Sequence, residues 1–144
     1  MLLKVLLLNK LYSTQIPDIH IESLARHISG LGIDRSLVEG QPSTVALIAR
    51  CEGLSYNLSF ASKYCSWHNP TAYPIYDHYA DKCLWTYKMR CGFAQFHRKD
   101  LKDYASFREV VIKFRNFYKL GSFNFREIDK FLWLQGKSLD AQGY

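Results

Sequence analysis

Apolar residues recur along this chain at helical spacing, and no alternating run of strand length interrupts them. Residues 1–12 are leucine-rich with little polar face, which predicts a helix buried between others. Residues 14–17 break it, and residues 20–28 predict a second helix with Gly30 or Gly32 as its stop. A short helix follows over 34–39, closed by Gly40, and Ser43 is placed to cap the next one, over 44–51. Residues 53–58 read as a tight connection, with Ser59 as the expected cap of a helix over 60–68. On that helix Phe60, Ala61, Tyr64, Cys65 and Trp67 share one face, and Ser62, Lys63 and Ser66 the other. Asn69-Pro70 ends it, because the residue before a proline is pushed out of the helical region.

The extended stretch Pro74-Ile75-Tyr76 then leads to Asp77, which opens a helix expected to run to about Tyr87. Residues 90–102 look irregular and basic. Residues 104–118 form the clearest amphipathic helix, with Tyr104, Phe107, Val110, Val111, Phe114 and Phe117 in one apolar stripe. Asn124 and Glu127 have capping-box spacing for a last helix that buries Phe125, Ile128, Phe131 and Leu132. That helix is expected to stop at Gly136 and leave a loose tail. The expected fold is all-α: one domain over 1–144, with seven or eight helices in two packed groups. A lobe over about 1–68 faces a basic lobe over about 77–136, with Asp77 at the cleft between them.

Charge sharpens this picture. The chain of 144 residues carries a net charge of +6. Residues 1–81 hold 6 basic and 7 acidic side chains, and residues 82–144 hold 13 and 6. A neutral half joined to a basic half suggests a polyanionic partner, although a solvated Lys/Arg surface has the same composition. Arg90, Arg98, Lys99 and Lys102 cluster in the irregular segment and are the expected phosphate contacts. Phe93 and Phe96 beside them either stack on bases or anchor the segment to the core. The leucine-rich start lacks the basic flank and small-residue cleavage site of a signal peptide, and no stretch approaches the ~20 apolar residues of a membrane span. A cytoplasmic, soluble monomer is expected. Cys51, Cys65, Cys83 and Cys91 form no C-x-x-C pair and the five histidines are scattered, so no metal or other cofactor is expected.

Asp77 is the candidate functional acid, set between Tyr76 and Tyr79 at the positive end of a helix. The plainer reading is a helix cap. The run PIYDHYADK, preceded by a turn over 53–59 and a helix over 60–68, resembles the helix-hairpin-helix DNA glycosylase superfamily, the clan of endonuclease III and the 8-oxoguanine glycosylases. In that clan a turn, a helix and a proline-containing segment deliver a catalytic aspartate. The resemblance implies a two-lobed helical fold and a DNA glycosylase that excises a damaged or modified base, in repair or in defence against modified foreign DNA. Asp77 would be its carboxylate, and Trp67, His68, Tyr76 and Tyr79 would surround the extruded base. Bifunctional members use a lysine nucleophile at the start of the helix; the nearest here, Lys63, lies one turn later and suits a phosphate contact as well. The turn CEGLSYNLS holds Gly53 alone where the family has a glycine-rich hairpin. A non-catalytic DNA- or RNA-binding helical module is the alternative.

Overall fold

The computed structural model describes all 144 residues, which form eight α-helices and no strand. In order these are α1 (Leu2–Tyr12), α2 (Asp18–Gly30), α3 (Asp34–Glu39), α4 (Ser43–Ala49), α5 (Leu58–His68), α6 (His78–Cys91), α7 (Tyr104–Phe117) and α8 (Phe125–Ala141). A 3₁₀ turn, Arg98–Lys102, precedes α7. The all-α expectation therefore holds. Helix α5 packs on α1, α3 and α4, α6 lies along α8, and α7 bridges α4, α6 and the 3₁₀ turn. A single cluster of 34 buried residues runs from Val5 to Leu132, so both helical groups share one core. No helix is long and apolar enough to cross a membrane.

Several elements differ from their sequence reading. Helix α1 is not buried between others: only Val5, Leu8 and Asn9 are covered, while Leu3, Leu7 and Leu11 are exposed along its outer face. It packs on α2 and α5 from one side only. Residues 14–16 depend on Asn9, whose carboxamide donates to the Ile16 carbonyl at 2.9 Å and accepts the Ile16 N–H at 3.1 Å. That pair satisfies the loop backbone where Ser13 and Gln15 adopt positive φ.

Helix α5 is capped by Asn57, not Ser59; the Asn57 side chain accepts the Phe60 N–H at 2.9 Å. Ser59 thus lies inside the first turn, free for another partner. The supposed polar face of α5 is buried too, with Ser62, Lys63 and Ser66 at 8% exposure or less. Ser43 likewise is not a cap: it is already helical, and Pro42 holds the cap position of α4 without a side-chain bond.

Helix α6 continues past Tyr87 to Cys91, where Gly92 closes it at φ 62°. Helix α8 starts at the expected capping box, with Asn124 and Glu127 exchanging bonds of 2.8 and 3.0 Å. It does not stop at Gly136 and the tail is not loose, because helical geometry persists to Ala141. Gly136 is a packing residue: a Cβ there would meet the Tyr79 carbonyl carbon at 2.6 Å and its Cβ at 2.7 Å. Glycine lets the backbones of α6 and α8 approach this closely.

Candidate functional site

The extended segment before α6 is held from three helices. Ser62 of α5 accepts the Tyr76 N–H at 3.0 Å, Tyr104 of α7 donates to the Pro74 carbonyl at 2.7 Å, and Asp129 of α8 accepts the Ile75 N–H at 3.0 Å. An extended segment inside a helical core needs such partners, since it has no helix or sheet ladder of its own. Its fixed course delivers Asp77 to the N-cap of α6, where the carboxylate accepts the Ala80 N–H at 2.8 Å. The cap reading of Asp77 is therefore correct, and a second oxygen remains for other work.

Asp77 borders an open cleft of about 780 Å³ between the α1 end, α5, the start of α6 and α8. That space accommodates a nucleotide-sized ligand. Lys63 enters from α5, 8% exposed, its Nζ donating to Ser59 Oγ at 2.9 Å and lying 5.6 Å from the Tyr12 ring centre. Burial lowers its pKa below the usual lysine range, and the Asp77 charge offsets part of that. Asp129 enters from α8, 9% exposed, with Oδ1 buried and unpartnered. Burial pushes its carboxyl well above the usual range; the Ile75 N–H opposes this and the Asp77 charge adds to it. Tyr79 and Trp133 form an aromatic wall, edge to face at 6.0 Å, with Lys137 against the indole at 4.9 Å. Arg126 and Lys130 rim the opening, exposed and outside every ion pair of the fold. A smaller cavity of about 60 Å³, bordered by Ile16, Leu24, Ile48 and Phe60, brings no charged groups together. No three His, Cys, Asp or Glu side chains lie where they could hold a metal ion together.

Of the residues picked out in the sequence, the cleft collects Asp77, Lys63 and Tyr79. Trp67 and His68 do not line it. Trp67 is half exposed at the end of α5, and His68 sits 3.3 Å from Lys4 on the α1 side. Tyr76 is buried in the core, edge-on to Phe107, and its hydroxyl donates to Asp81 at 3.0 Å. Two expected phosphate contacts are committed to that same buried Asp81. Arg98 Nε donates to it at 3.0 Å, and Lys102 donates to the Tyr76 hydroxyl while lying 3.8 Å from the carboxylate. Lys99 is exposed, and Arg90 stacks on Tyr144 at 4.7 Å. Phe93 and Phe96 anchor the segment: Phe93 is buried against Phe114, and Phe96 meets Trp85 edge-on.

Sequence reasoning missed Arg126, Asp129, Lys130 and Trp133. Their spacing of three, four and seven places them on one face of α8, beside the apolar face of Phe125, Ile128 and Leu132. That polar stripe was the available signal. Nothing in the sequence could tie Tyr12 to Lys63 across 51 positions.

No solved structure matches this chain. A protein of Haemophilus influenzae, described as uncharacterized, is 41% identical over 135 residues, covering 91% of this chain. The chain spans 63% of that relative's length. Residues 1–72, half of the sequence, match the HI_0787_N family model, described as an N-terminal domain; that half carries Lys63 and ends just before the extended segment. The chain belongs to the HI_0787_N family.

Proposed function

We propose that the cleft binds DNA with one base turned out of the stack and cleaves the N-glycosidic bond of that nucleotide. The observation that carries this reading is the convergence of Lys63 and Asp77 on one open cleft beside the Tyr79–Trp133 wall. Breaking the bond to the base builds positive charge on the sugar, and a fixed carboxylate stabilises it. Asp77 suits that task because its cap bond and the triply held segment fix its position. The aromatic wall offers a π-face to the extruded base. Arg126 and Lys130 at the rim offer positive charge to the flanking phosphates.

Two groups can take the sugar carbon once the base departs: a water oriented by Asp77, or the Lys63 amine. Burial favours the neutral, nucleophilic form of Lys63. Borohydride separates the two, since it traps a lysine–sugar imine and leaves a hydrolysed product untouched.

The decisive assay measures free base released from a panel of DNAs carrying damaged and hypermodified bases, wild type against Asp77→Asn. Release by wild type alone supports the glycosylase reading. Binding of DNA by both proteins, with release by neither, favours the non-catalytic nucleic-acid-binding module.

A further inference from the structure

We infer that Asp129 is a second catalytic carboxyl, the general acid that protonates the departing base, with its buried and unpartnered Oδ1 as the proton donor. This rests on the glycosylase reading above and extends it. Asp129 has no cation within ion-pair distance, and its one hydrogen bond is accepted by Oδ2 from the Ile75 N–H. A carboxylate left in that state would keep one oxygen buried with no donor. A carboxylic acid removes the buried charge, and Oδ1 then carries a proton that still needs an acceptor. Oδ1 itself has no exposed surface, so the carboxyl turns toward the cleft that Asp129 lines before a ligand there can supply that acceptor. The raised pKa of the group agrees with this assignment.

Asp77 and Asp129 thereby divide the work. Asp77 sits half-exposed at the positive end of α6, whereas Asp129 is desolvated beneath the Ile75 backbone. Two carboxyls whose surroundings differ in this way suit an acid and a charge-stabilising partner. In the step, the bond between the sugar C1′ and the base nitrogen breaks and its electron pair stays with the base. The Asp129 Oδ1 proton passes to the base, a water adds its hydroxyl to C1′, and Asp77 takes the water's second proton. Solvent then restores Asp129 and removes the proton from Asp77. The net change is hydrolysis.

The groups able to disturb this titration are Tyr12 on α1, Lys63 on α5, Asp77 before α6, His78 and Tyr79 on α6, Tyr104 on α7, and Arg126 and Lys130 on α8. Asp129→Asn removes the acidic proton yet keeps an oxygen for the Ile75 N–H, so the segment bearing Asp77 stays in place. Base release is measured against pH on duplexes carrying uracil or 5-fluorouracil opposite guanine, fluorine making the departing nitrogen the better leaving group. In parallel, carbon NMR of labelled aspartates, wild type against variant, reads the Asp129 carboxyl directly.

The variant is expected to slow uracil release on the order of 100-fold or more and 5-fluorouracil release far less. Wild type should lose uracil activity with rising pH before it loses 5-fluorouracil activity, a comparison that holds even if the variant fails to fold. NMR should find Asp129 protonated at neutral pH, and that result decides if wild type frees neither pyrimidine but releases other bases. Equal losses on the two substrates, or an ionised Asp129 at neutral pH, would overturn the assignment while Asp77-dependent release leaves the glycosylase reading intact. If wild type releases no base from any DNA, both readings fall.

Discussion

Lys63 and Asp129 are buried ionisable side chains that packing alone does not justify, and each ties stability to pH. The native pKa of Asp129 is raised, so its contribution to stability is fully present below about pH 4, the ordinary aspartate range. It is lost progressively as pH rises from there to the native value. Asp129→Asn should therefore match wild type in melting temperature near pH 4 and exceed it at pH 7. Lys63 runs the other way. Its native pKa is lowered, so its contribution is present above about pH 10.4 and lost as pH falls through the native value. Lys63→Met should melt higher than wild type at pH 7, with the gap closing toward pH 10. Thermal melts across that range check both, and a flat difference for either variant would contradict the burial argument. Asp77→Asn isolates function by contrast. It keeps an oxygen for the Ala80 N–H, so stability should change by roughly 1 kcal/mol or less. Base release should fall on the order of 100-fold or more.

Among the elements, the contact of α6 with α8 places the aromatic wall, and it turns on Gly136. A side chain there would press on the Tyr79 backbone, and backbone gives way only by moving the helices apart. Gly136→Ala should cost about 1–3 kcal/mol, the usual range for an overpacked contact, despite the better helix propensity of alanine. Chemical denaturation checks this; a stabilised variant would mean the helices separate freely. The same glycine shows what sequence reasoning can and cannot reach. Capping chemistry is local, so the Asn124–Glu127 box and the Asp77 cap were legible from spacing. A glycine near a helix end carries the same local signal whether it stops the helix or admits a neighbour. Gly92 ends α6, Gly136 does not end α8, and only the crossing of Tyr79 separates the cases. Helix α5 makes the same point with polar residues. Ser62 and Lys63 look like a solvent face until the extended segment and the α1 end cover them. Half of the candidate site was legible for this reason: Asp77 and Lys63 announce themselves by local pattern, while Asp129 and Trp133 reach the cleft through tertiary packing.

At the scale of the whole molecule, the proposed function requires part of the basic half to meet DNA. Density of positive charge points to the segment over 90–102, but two of its cations are already engaged. Arg98 and Lys102 surround Asp81, which is 4% exposed, and so fasten the 3₁₀ turn to α6. Removing Arg98 leaves a buried carboxylate short of a partner, so Arg98→Glu should lower stability markedly. Any loss of DNA binding in that variant would follow from unfolding. Arg126, Lys130 and Lys137 instead project from one side of α8, exposed, and the first two rim the cleft. They are free to exchange counterions for phosphates. Arg126→Glu combined with Lys130→Glu should leave the melting temperature within a few degrees of wild type. The same variant should weaken DNA binding by at least tenfold at moderate salt and reduce the slope of log affinity against log salt by about 2, one unit per lost phosphate contact. Fluorescence anisotropy with a short duplex across a salt series supplies both numbers. An unchanged slope in this variant, with a reduced slope in Lys99→Glu, would move the phosphate-binding surface back to the 3₁₀ turn.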